Sequence, residues 1–166
     1  LALPAIGQQL LHTLVFLVDR LMLGEHSADA LASMQISGPV VWSAFTILSS
    51  FAAGSVALIG RRVGSQEPHA ARAAVRATLG LAALAGLAAS LLGIPATPYF
   101  MALFPDAGAA VHAHATGYLR VAFLSQPLLL MSFAGAICLQ AAGNTRTPFF
   151  VAIAGNALNI ALNEIL

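Results

Sequence analysis

Hydrophobic residues gather into five stretches, roughly residues 1–24, 36–60, 78–104, 117–141 and 148–166. Each approaches the ~20 mostly apolar residues that a helix needs to cross a bilayer. Short polar segments separate them. Residues 25–35 hold two acids and no arginine, residues 61–77 hold four arginines, residues 105–116 hold none, and residues 142–147 carry Arg146. The pattern predicts an all-α integral membrane protein with about five transmembrane helices. Both ends fall inside apolar runs, with no basic leader or cleavage-type boundary at the start, so we expect a segment of a longer polytopic chain rather than one opening with a signal peptide.

Basic residues in short loops mark the cytoplasmic side of a bilayer. The basic gaps are the second and fourth, so the start of the chain is expected in the cytoplasm, residues 25–35 and 105–116 face outward, and the final span heads outward. Arg20 and Arg120, near outer helix ends, can snorkel to the interface. The expected location is the inner (plasma) membrane, in multi-pass form.

Composition agrees with the pattern. The chain of 166 residues is 59% hydrophobic and only 8% charged, where soluble domains average roughly 25% charged, and its mean hydropathy is +0.87. Lysine is absent and the net charge is +1, so nucleic acid is not an expected partner. The single cysteine, Cys138, sits in an apolar run and reads as a small buried residue. Small residues at Ala82, Gly86 and Ser90 recur every four positions, which suits close helix packing. Pro4, Pro39, Pro95 and Pro127 fall within or at the edge of spans, where each removes a helical hydrogen bond and favours a bend.

Against that apolar background a few polar residues stand out. Asp19 lies inside the first span, where a carboxylate costs roughly 2.5–3.5 kcal/mol on insertion scales and is normally retained for a function. At about 100° per residue, Gln8, His12 and Asp19 fall within an arc of about 40°, a stripe that must face protein or water. Pairing of Asp19 with the adjacent Arg20 is the competing reading, and the angular step between neighbours makes its geometry poor. The fifth span carries a second stripe, Asn156, Asn159 and Asn163, within about 60° of arc. These amides can serve as interhelical glue, at about 0.6 kcal/mol per bond. Together with Asp19 they can instead supply the oxygens of a site for a proton or a small hard cation. Glu164 reads as an interfacial acid. His112 and His114 form an H-x-H pair without a third metal ligand, and His26 and His69 have no partner pattern. No phosphate loop, nucleophile elbow, HExxH or paired-cysteine motif occurs, so neither an enzyme nor a bound cofactor is expected.

Several short motifs carry a resemblance. L-A-L-P-A-I at 1–6, F-L-V-D-R-L-M-L-G at 16–24, Y-L-R at 118–120, A-G-N-T-R-T-P at 142–148 and N-A-L-N-I-A-L-N at 156–163 follow in an order and spacing similar to the multidrug and toxic compound extrusion (MATE) family. The resemblance covers essentially the whole chain. It implies a twelve-helix transporter of two six-helix lobes, exporting organic cations, drugs or other amphipathic compounds in exchange for protons or sodium. The chain then corresponds to five helices of the N-terminal lobe, with the sixth helix and the C-terminal lobe as its partners beside the lipid bilayer. It further implies a cation site at Asp19, Asn159 and Asn163, a substrate cavity lined by Gln8, His12 and Asn156, and helix bending at Pro4. Many members carry aspartate where this chain has Asn163, which leaves Asp19 as the matched acid and the coupling ion open between H+ and Na+. Two other readings stand beside this one. A lipid-linked saccharide flippase of the same superfamily calls for cavity arginines to meet a pyrophosphate, and no arginine lies mid-span. A membrane protein without transport activity, enzyme or structural subunit, calls for a constellation the chain does not show.

Overall fold

A computed structural model describes residues 6, 7, 10, 13, 14, 17, 18 and 27–165. Pro4, Gln8, His12, Asp19 and Arg20 lie outside the described residues. Ile6, Gly7, Leu10, Thr13, Leu14, Leu17 and Val18 are all helical. Five helices follow: α1 (Ala28–Leu48), α2 (Phe51–Gly64), α3 (Pro68–Met101), α4 (Ala109–Ala141) and α5 (Arg146–Ile165).

Helix starts obey capping chemistry rather than hydropathy. Helix α1 begins at Ala28, well before the apolar run expected from residue 36. Ser27 is extended there and its hydroxyl accepts from the Ala30 amide, while Asp29 complements the positive end of the helix dipole. Helix α3 begins at Pro68 rather than near 78, because proline at the first helical position loses no bond that would otherwise form. Helix α4 likewise starts at Ala109 rather than 117. At 1.5 Å per residue α3 is about 50 Å long, so its ends project beyond the ~30 Å hydrocarbon core.

The span expected at 36–60 is two helices. Residues Ala28–Gly64 form one apolar passage of 37 residues, interrupted where the Ser49 hydroxyl turns back to the Thr46 carbonyl and the Ser50 amide donates to Ile47, three residues back. A serine pair that competes for the ladder breaks it here. The interior prolines Pro39, Pro95, Pro98 and Pro127 leave their helices continuous. Among the described residues, Ala28–Gly64, Pro68–Met101 and Ala109–Ala141 are long and apolar enough to cross a membrane.

Helix α4 is the centre of the bundle. Its buried residues Ala115, Leu119, Phe123, Gln126, Leu130, Ala134 and Ile137 recur at intervals of three and four. Facing them, α3 presents small groups: Ala82, Gly86, Ser90, Gly93 and Thr97. A methyl added at Gly86 would run into the Pro127 backbone, and one at Gly93 into the Phe123 ring. Such contact lets dispersion hold two helices where lipid offers no hydrophobic drive. A polar bond closes the middle of this seam. Pro127 has no N–H to give the Phe123 carbonyl four residues earlier, and the Ser90 hydroxyl donates to that oxygen at 2.6 Å. Outward residues are apolar, with Leu91 74% and Leu128 77% exposed, as suits a protein whose solvent is lipid.

Gly86→Ala is therefore expected to lower stability by about 1–3 kcal/mol through overpacking. Gly80→Ala, where an added carbon meets nothing within 4 Å, should leave stability unchanged or raise it by up to about 1 kcal/mol. Unfolding midpoints of the two variants in detergent check the difference.

Candidate functional site

The motif A-G-N-T-R-T-P sets the approach of α5 to the bundle. Gly143 adopts a left-handed φ of 87° just after α4. Its amide donates to the Gln140 carbonyl, and that of Asn144 reaches back to Leu139. This is the Schellman arrangement that needs glycine at its left-handed position. Asn144 then opens α5: its Oδ1 accepts from the Thr147 amide at 3.1 Å and its Nδ2 donates to the Thr147 hydroxyl at 2.8 Å. Two helix ends are thus fixed within a few residues.

Helix α5 carries the asparagine stripe. Asn156 and Asn159 are half-buried one turn apart. The Asn156 Nδ2 is enclosed and has no hydrogen-bond partner among the described residues, whereas Asn159 is engaged in an interaction. Asn163 lies within α5, its side chain outside the described residues, as is that of Glu164. The N-terminal helical stretch packs on this helix, since a carbon added at Gly7 would come within 2.9 Å of the Phe149 ring. The structure therefore brings the start of the first segment against the start of α5. Asp19, Gln8, His12 and Pro4 lie outside the described residues.

Other candidates resolve into structure. The His112 ring nitrogen Nε2 bonds the Phe104 carbonyl at 2.8 Å, tying the start of α4 to the turn before it, and no group of three metal-ligating side chains occurs among the described residues. Cys138 is buried with Ile59 and Ala74.

Sequence reasoning passed over Gln126. It is fully buried in the middle of α4, and neither Nε2 nor Oε1 has a partner among the described residues. An amide so placed costs roughly 1–3 kcal/mol. The signal was present: Gln126 takes a core position between Phe123 and Leu130 at heptad spacing, directly before Pro127.

Helices that turn leucine outward and glycine inward define the class, a polytopic helical membrane protein. The chain belongs to the MatE family, whose profile matches residues 4–165. It is 30% identical over 164 residues to the probable multidrug resistance protein NorM of Thermotoga maritima, covering 98% of this chain and 35% of that protein. It is 26% identical to the probable multidrug resistance protein YoeA of Bacillus subtilis, with the same coverage. Its fold superposes on a MOP superfamily transporter from Pyrococcus furiosus with a TM-score of 0.92 at 21% identity, over 99% of this chain and 36% of that one. The chain spans about a third of the length of these relatives.

Gln126→Met keeps the side chain's volume and removes two unpaired polar atoms. We expect its unfolding midpoint in detergent to equal or exceed that of the unsubstituted protein; a fall of several degrees would mean that the amide has a partner.

Proposed function

We propose that this chain forms five helices of the N-terminal lobe of a cation-coupled antiporter that exports organic cations, drugs or other amphipathic compounds by alternating access. In this reading Asp19, Asn159 and Asn163 hold the coupling ion, a proton or sodium. Gln8, His12 and Asn156 line the substrate cavity, and bending at Pro4 changes its volume. A sixth helix and a second lobe complete the transporter, and the arginine-bearing turns lie on the cytoplasmic side of the plasma membrane. Membership of the MatE family supports the reading, as do relatives named as probable multidrug resistance proteins.

The observation that carries the ion site is the packing of Gly7 on Phe149. Spans one and five run in the same direction, because an odd number of crossings separates them. Along a helix, Asn159 and Asn163 stand about 15 and 21 Å beyond Phe149. With the first span read as one helix, Asp19 falls about 18 Å beyond Gly7 on the same axis, level with the two amides. Carboxylate and amide oxygens at one depth are the donor set that a hard cation takes. The open Nδ2 of Asn156 is a donor, so it suits an acceptor atom of the cargo rather than the ion.

Coupling works through competition for that carboxylate. An ion entering from outside neutralises Asp19 and removes the cost of an unpaired charge in lipid. Its release to the other side restores that cost, which cationic cargo can offset. Each step thereby biases one access state over the other.

In proteoliposomes holding the full-length protein, Asp19→Asn should reduce gradient-driven efflux to background with membrane insertion intact. Asn159→Ala should lower it at least tenfold. Collapsing the proton and sodium gradients separately identifies the coupling ion. Efflux by Asp19→Asn at the unsubstituted rate would overturn the assignment.

A further inference from the structure

Residues 61–77, from the last turn of α2 into the first turns of α3, hold Arg61, Arg62, Arg72 and Arg76 against a single acid, Glu67. That acid is spent locally, because its carboxylate pairs with Arg62. Arg72 and Arg76 are exposed and have no carboxylate partner among the described residues. They stand one helical turn apart near the start of α3, where like charges four residues apart repel. An anion at this point relieves that conflict.

The surface beside them is built for more than a soluble anion. A groove of about 290 Å³ opens next to Arg72, with Val63, Pro68 and Ala71 among its walls. Glu67 also borders it, its charge already met by Arg62. As α3 enters the apolar region, its exposed side continues as Leu84, Leu87 and Leu91, which are 67%, 51% and 74% exposed. A cationic pair above a column of outward leucines has the amphipathic profile of one phospholipid: phosphate at the end of the helix, acyl chains along its flank.

We propose that Arg72 and Arg76 bind the phosphate of an acidic phospholipid whose acyl chains lie against Leu84, Leu87 and Leu91. Guanidinium groups suit this task because each can give two parallel N–H bonds to phosphate oxygens. A net negative headgroup is selected over a zwitterionic one because, among the described residues, this patch offers no acid beyond Glu67, already paired with Arg62, to meet a choline or ethanolamine nitrogen. The site depends on the membrane placement of α3 and is independent of any transport activity.

The full-length protein, reconstituted in phosphatidylcholine vesicles with trace spin-labelled phosphatidylglycerol or spin-labelled phosphatidylcholine, gives the relative association of the two lipids. The unsubstituted protein should prefer the acidic lipid. Replacing both arginines (Arg72→Gln with Arg76→Gln) should reduce that preference by about 20–30-fold, the loss expected from two arginines near an anionic headgroup. Arg146→Gln, an exposed arginine at the start of α5, should leave it unchanged. Four results would overturn the proposal: no preference in the unsubstituted protein, as when another part of the chain covers this face; preference retained by the double variant; an equal loss in Arg146→Gln, which reports bulk charge; or displacement of the lipid by millimolar inorganic phosphate, which reports a soluble-anion site.

Discussion

The bond from the Ser90 hydroxyl to the Phe123 carbonyl holds together the part of the protein on which the rest is mounted. In lipid, a backbone carbonyl without a donor has no water to turn to. Pro127 creates such a carbonyl in the middle of α4, and α3 supplies the missing hydrogen from one turn beyond Gly86. The two features are coupled geometrically. Only with glycine at 86 can α3 come close enough to the Pro127 backbone for Ser90 to reach Phe123. A missing amide, a close approach and a hydrogen bond thus form one unit, and Gly93 extends the contact to the Phe123 ring.

Around this seam the other helices occupy different roles. The broken passage α1–α2 contributes Phe45, Leu48 and Phe51 to the packing around Ala82, Leu130 and Ala134. It joins α3 through a turn in which Gln66, at a φ of 57°, takes the left-handed position that glycine fills after α4. Helix α5 is attached through Gly143 and Asn144 and leans on the N-terminal helical stretch at Gly7 and Phe149. The polar groups with uncommitted bonding capacity separate accordingly. Gln126 is sealed within the seam, whereas Asn156 lies on the helix that meets the first span.

Much of this was legible in the residues because lipid imposes a coarse rule. Apolar length marked the passages, and the spacing of Ala82, Gly86 and Ser90 marked a packing face that the structure places in the seam. Helix ends were less legible. Hydropathy reports where a chain meets lipid, while Ser27, Pro68 and Gly108 report where a helix can begin, and in α1, α3 and α4 the two differ by more than a turn. The break at Ser49–Ser50 escaped notice because prolines drew attention as kinking residues, yet α1, α3 and α4 run on through Pro39, Pro95, Pro98 and Pro127. Gln126 was hidden because one amide in an apolar run disturbs no average; only its heptad position gave it away. The asparagine stripe was readable from angular spacing. Asp19, which lies outside the described residues, is proposed as its partner from insertion cost and from resemblance to the MatE family, to which the chain belongs.

The facing of the two polar stripes is the central structural claim, and a distance tests it most directly. In the full-length protein with Cys138→Ser, the pair Asp19→Cys and Asn159→Cys should be joined rapidly by a bifunctional thiol reagent spanning about 8 Å, the separation of packed helix axes. The pair Leu17→Cys and Asn159→Cys should not, since Leu17 is exposed on a different side of the first segment. Preferential linking through position 17, with position 19 unreactive toward 159, would contradict a shared site.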